Sequence, residues 1–134
     1  LASMAQQAID EHGANQVMAA IDARMGEVYW AIYENINGLA SLVGEEIVIS
    51  PDKLTQLTFN DKPYFAVGTA WETYAQLENL ADICVLQDVL YPNAKYMVPL
   101  ALDGWKNNKM VDVQDAMPVY VRDTVTWKKL PGRE

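Results

Sequence analysis

Residues 17–34, VMAAIDARMGEVYWAIYE, restrict the possible folds more than any other part of the chain. They divide into two runs of strand character joined by a tight turn. In the first run Val17, Ala19 and Ile21 alternate with Met18, Ala20 and Asp22. In the second, Val28, Trp30 and Ile32 alternate with Tyr29, Ala31 and Tyr33. Successive strand side chains point to opposite faces, so both runs are apolar on both faces over most of their length. Strands of that kind belong in a sheet covered on each side, which makes the hairpin the centre of a layered α/β domain. Asp22, Arg24 and Glu27 crowd the turn and are its only charged groups before Glu34.

The flanking segments supply the layers. Leu1, Met4, Ala5, Ala8 and Ile9 fall on one helical stripe, and Gly13 suits a left-handed helix end. Residues 40–49 read as a third strand in which Gly44 marks a bulge. Ser50-Pro51 opens a short helix that buries Leu54 and Leu57. Residues 64–68, YFAVG, form a fourth strand, and Thr69-Ala70-Trp71-Glu72 fits a capping box. The helix behind that box carries Tyr74, Leu77 and Ala81 inward, and residues 83–86 are a fifth strand. A last helix lies between Asn93 and Asn107, with Met97, Leu100, Ala101 and Gly104 on its inner stripe and Pro99 in its first turn or at a kink. Irregular structure follows to Ala116. A helix, then βββαβαβα, then a tail gives an α/β fold: a mixed five-stranded sheet with helices on both faces. This is the ribonuclease-H-like arrangement, which is also the repeated half of actin-like ATPases. Residues 1–116 are read as that lobe, and 117–134 as an extended basic C-terminal tail.

With 134 residues, 51% hydrophobic and 21% charged, the chain can build one substantial core. No apolar run approaches the roughly 20 residues that cross a bilayer, so no membrane role is expected. The first twelve residues show no signal peptide. Cys84 is a single cysteine and cannot form an internal disulfide, which points to a reducing cytoplasm. A start at Leu1 without an initiator methionine suggests a piece of something longer. The net charge is −8, yet residues 1–121 hold six basic and sixteen acidic groups, a balance of −10. Nucleic-acid affinity comes largely from Lys and Arg that neutralise phosphates, so this acidic lobe is not expected to bind tRNA or DNA directly. The tail is the exception, with Arg122, Lys128, Lys129 and Arg133 against Asp123 and Glu134.

The polar residues do not assemble a familiar reaction centre. A two-metal nuclease needs several convergent carboxylates. Asp22 suits the end of the first strand, but the end of the fourth offers Val67, Gly68 and Thr69. Asp22 reads instead as a partner of Arg24 or a cap on the hairpin turn. Zinc peptidases want paired histidines, and His12 stands alone. Serine or cysteine catalysis needs a base beside the nucleophile, and Cys84 in a buried strand reads as core. No catalytic residue and no metal ligand is therefore assigned. Gly68-Thr69 ahead of a helix N-terminus could accept an anion; with Asp22 and Arg24 they form the candidate vestigial nucleotide site. Trp30, Trp71 and Trp105 read as core, whereas Trp127, beside Lys128 and Lys129, is placed to anchor an interface. Tyr120, Arg122, Trp127, Lys128 and Lys129 are the candidate partner-binding residues.

Two segments carry a family resemblance: AIDARMGEVYWAIYE at 20–34 and PVYVRDTVTWKKLPGRE at 118–134. LASMAQQA at the start, ISPDKL at 49–54 and VGTAW at 67–71 extend it over nearly the whole chain. Together these resemble the TsaB (YeaZ) family, in its gammaproteobacterial branch. The resemblance implies an actin-like, two-lobed protein of the group once labelled glycoproteases. It implies a scaffold that partners TsaD, with TsaE, in threonylcarbamoyladenosine modification of tRNAs reading ANN codons. TsaD holds the metal and transfers the group; the TsaB-like member is expected to be catalytically inactive and without a cofactor in this lobe. ATP or ADP is then expected only in the full complex. The family's first lobe, with its I-D-T strand, its glycine-rich segment and the helices that pair with TsaD or with a second copy in a homodimer, has no counterpart here. The chain is accordingly expected to be the C-terminal lobe alone. A glycoprotease-type peptidase and a vestigial nucleotide-binding lobe are the alternatives.

Overall fold

The computed structural model describes residues 1–122. Helix α1, Ala2–His12, leads into strands β1, Gln16–Asp22, β2, Val28–Ile36, and β3, Leu39–Ile49. Helix α2, Pro51–Leu54, precedes β4, Tyr64–Val67; helix α3, Ala70–Thr73, precedes β5, Ile83–Val85. Helix α4, Met97–Lys106, comes last, and short 3-10 turns lie at Ala75–Asn79, Ala94–Tyr96 and Val113–Asp115. The strands line up in the order β3-β2-β1-β4-β5. The first three meander antiparallel, while β4 joins β1, and β5 joins β4, in parallel. This is the mixed five-stranded ribonuclease-H-like sheet that the order of elements implies.

Alternation in the hairpin divides the core as the sequence requires. Val17, Ala19, Ala31 and Tyr33 face α1, where Met4, Ala5, Ala8 and Ile9 pack against them. Met18, Ala20, Val28 and Trp30 face the other way, onto Leu54, Ala70, Trp71 and Leu77. The Trp30 ring lies 6.1 Å from that of Trp71, and the Trp71 indole N–H donates to the Val67 carbonyl at 3.0 Å. Gln6, fully buried on α1, ties the helix to the second hairpin: its amide donates to the Gly38 carbonyl at 2.8 Å and accepts from the Ala40 N–H at 2.9 Å. Gly13 ends α1 at φ +64°. Gly44, at φ +79°, sits in a bulge where the pairing steps from Trp30–Ile47 to Ile32–Val43.

Several local expectations fail for identifiable reasons. No capping box forms at Thr69: its backbone is already helical (φ −79°) and its side chain makes no cap hydrogen bond. The helix it opens stops at Thr73 because Tyr74 is extended, and the chain continues as a 3-10 turn that still buries Leu77. Leu57 is exposed because α2 ends at Leu54. Cys84 is exposed as well. Edge strand β5 is three residues long, and only its Ile83 and Val85 side meets the core. Trp105 is 60% exposed. Helix α4 rests with Leu100 and Gly104 half-buried and turns Met97, Val98, Leu102 and Trp105 to solvent. No helix among the described residues is long and apolar enough to cross a membrane.

Candidate functional site

Asp22, Arg24 and Thr69, chosen from the sequence, come together in space. With Ile21, Thr73, Leu90, Tyr91 and Pro92 they line a cavity of about 300 Å³ at the open end of β1 and β4. That volume is at the lower limit for small-molecule sites, roughly 300–1,000 Å³. The parallel pairing of β1 with β4 causes the convergence, because both strands end at the same edge of the sheet. Gly68 lies behind the cavity, pressed onto β1.

Each polar group there already has a protein partner. The Asp22 carboxylate accepts from the Arg24 N–H at 2.9 Å and from the Tyr74 hydroxyl at 3.1 Å, and lies 3.5 Å from the Arg24 guanidinium. Both roles read for it, capping the turn and pairing with Arg24, are present. Burial, then the bond to Asp22, pushes the Tyr74 hydroxyl above the ordinary tyrosine value. Thr69 Oγ1 accepts the Asp22 N–H at 3.1 Å, which fastens β1 to the β4–α3 junction. The Gly68 N–H donates to the Val89 carbonyl at 2.8 Å. Of the four residues, Arg24 has the free reach: its side chain is 87% exposed at the cavity mouth. One carboxylate, Asp22, lines the cavity, where a two-metal centre would need several.

The candidate partner-binding residues are separated. Tyr120 is 73% exposed and lines a groove with Leu1, Ile21, Tyr29 and Glu46. Arg122 is turned inward, to Glu27 and the carbonyls of the hairpin turn. Trp127, Lys128 and Lys129 lie outside the described residues.

Sequence reasoning did not find the surface group Glu11, His12 and Asp88, whose ligand-type atoms lie within 4.8 Å of one another. His12 Nε2 and Asp88 Oδ2 are 2.8 Å apart. Glu11 accepts from the Tyr96 hydroxyl and, at 3.0 Å, from Gln7. Those two bonds hold the Glu11 carboxyl below its ordinary value, and the first raises Tyr96. Asp88 sits in the loop after β5, 76 positions from His12, and nothing in the spacing announces it. The Tyr74–Asp22 bond was missed for the same reason: it spans 52 positions.

Fold and site together define a ribonuclease-H-like α/β lobe whose strand-end cavity is lined by internally hydrogen-bonded polar groups. No protein-family model matches the chain. Among curated proteins it is 43% identical over 141 residues to the tRNA threonylcarbamoyladenosine biosynthesis protein TsaB of Escherichia coli (strain K12). It is 38% identical over 145 residues to the protein of that name from Haemophilus influenzae. Each match takes in 100% of this chain and 59% of the relative, so the chain spans rather more than half the length of the relatives it matches. Two solved structures share the fold. One is an uncharacterized protein from Pseudomonas aeruginosa with similarity to peptidase YeaZ: TM-score 0.77, 35% identity, 91% of this chain and 56% of that one. The other is YeaZ from Pseudomonas aeruginosa: TM-score 0.75, 35% identity, 90% of this chain and 56% of that one. Over the part it spans, the chain is similar to TsaB (YeaZ) proteins, as its motifs imply.

Proposed function

We propose that this chain is the C-terminal lobe of a two-lobed scaffold that serves threonylcarbamoyladenosine synthesis on tRNA without catalysing a step itself. The observation that carries this reading is the match to two TsaB proteins along the entire chain. The geometry supports a passive role, since Asp22, Gly68 and Thr69 are bonded to the protein itself. In this reading the partners are TsaD and TsaE, the lobe needs no cofactor of its own, ATP or ADP belongs to the full complex, and the work is done in the cytoplasm. Deleting the full-length parent gene and measuring tRNA nucleosides by mass spectrometry tests it. Threonylcarbamoyladenosine is expected to fall sharply; normal levels would overturn the proposal. The tail set is tested separately: a parent truncated after Ala116 should capture TsaD more weakly, and unchanged capture rejects a role for Tyr120 through Lys129.

One alternative has a specific point in its favour, the stated likeness of a neighbouring structure to a peptidase. It predicts that the pure protein hydrolyses a protein substrate, and no hydrolysis rejects it. The vestigial nucleotide site predicts heat on titration of the full-length parent with ATP or ADP, through Arg24 at the cavity mouth. No heat at saturating nucleotide rejects that.

A further inference from the structure

The turn between β1 and β2 has an unusual backbone. Arg24, Met25 and Gly26 follow one another at φ +64°, +56° and +72°, and the first two carry a Cβ that this region disfavours. Within the turn the Ala23 N–H bonds to the Glu27 carbonyl at 2.9 Å and the Glu27 N–H to the Arg24 carbonyl at 3.1 Å. One side chain from far along the sequence enters it. Arg122 Nη1 donates to the Ala23 carbonyl at 2.8 Å; its Nη2 donates to the Glu27 carboxylate at 2.6 Å and to the Arg24 carbonyl at 3.4 Å. The guanidinium carbon lies 5.7 Å from the centre of the Tyr29 ring, and the side chain is 10% exposed. Two carbonyls converging beside a carboxylate match the planar fork of a guanidinium better than the point charge of an ammonium.

We propose that the β1–β2 turn is a guanidinium-binding niche filled by Arg122, so that docking of residues 119–122 and the shape of the turn bearing Asp22 and Arg24 form a single equilibrium. The Ala23 and Arg24 carbonyls face the same guanidinium; the Arg24 carbonyl already takes the Glu27 N–H, so it is the Ala23 carbonyl that gains its donor there. Arg122 provides it, with the Glu27 carboxylate balancing its charge. Asp22 is drawn in because its carboxylate receives the Arg24 N–H of the same turn. Arg122 is thus a positioning residue, acting on the strand-end cavity through the turn.

Amide hydrogen exchange on the full chain tests this. In Arg122→Ala the Ala23 and Glu27 amides are expected to exchange at least about ten times faster, as for a local opening, while the β1–β4 amides keep their protection. Arg122→Lys should recover only part of the lost protection. Free guanidinium ion at millimolar concentration should restore the turn in Arg122→Ala and leave the unmutated chain unchanged. Turn amides that exchange at the same rate with and without Arg122, or a variant that ignores guanidinium, would overturn the proposal. Should Arg122→Ala lose the β1–β4 protection too, Glu27→Gln decides. Faster exchange confined to the turn supports the niche, and an unchanged turn overturns it.

Discussion

At Gly68 a methyl group would stand 2.2 Å from the Ala20 carbonyl oxygen, on a backbone at φ +103°. Neither the strand nor the left-handed conformation can yield there, so Gly68→Ala should cost on the order of 4 kcal/mol or prevent folding. Urea denaturation measures it. Thr69→Val leaves the Asp22 N–H without its acceptor and should cost about 1–2 kcal/mol, whereas Thr69→Ser should keep most of that stability. The sequence singled out both residues for an anion; in the structure Gly68 is pressed onto the Ala20 carbonyl and Thr69 accepts the Asp22 N–H. Tyr33 gives a pH prediction. Burial, then its 2.5 Å hydrogen bond to Glu46, pushes its hydroxyl far above the ordinary value. The unfolded chain therefore releases this proton near pH 10 while the folded chain keeps it. Stability from this group is complete below about pH 10 and declines as pH rises beyond it. Tyr33→Phe should flatten that alkaline decline in a denaturation series; an unchanged slope would show that other groups cause it.

Elements whose own residues decide their form were legible, and those decided by distant partners were not. β1 and β2 could be read because a two-residue alternation on both faces admits few other structures. α1, with its stripe and Gly13, was equally plain. The capping box at Thr69 failed because Asp22, 47 positions upstream, takes the threonine oxygen. No local string reveals such a competitor. In α4 the stripe read as inner, Met97, Leu100, Ala101 and Gly104, is covered only at Leu100 and Gly104, and the larger side chains remain outside. The two tryptophans should separate these cases. Trp30→Ala removes a ring packed between Trp71 and Phe59 and should cost about 3–5 kcal/mol. Trp105→Ala should stay within about 0.5 kcal/mol. Equal costs would contradict the packing described for α4.

Among the described residues, an acidic body carries a strand-end cavity whose polar groups bond to one another. The cavity's carboxylate, hydroxyl and glycine N–H hold β1, β4 and the loop after β5 together. The fold was legible as a βββαβαβα order, and the motifs at 20–34 and 118–134 carried the family. The proposed scaffold role was drawn from that resemblance alone, since scaffolding leaves no signature comparable to a catalytic triad. The most direct measurement is threonylcarbamoyl transfer reconstituted from TsaD, TsaE and the full-length parent, with Asp22→Asn, Arg24→Ala and Thr69→Val each tested in it. Omitting the parent should abolish transfer, and every folded variant should keep kcat within a factor of about three. A variant that folds and still binds TsaD, yet loses about a hundredfold or more in kcat, would contradict the account and make this lobe a participant in the chemistry.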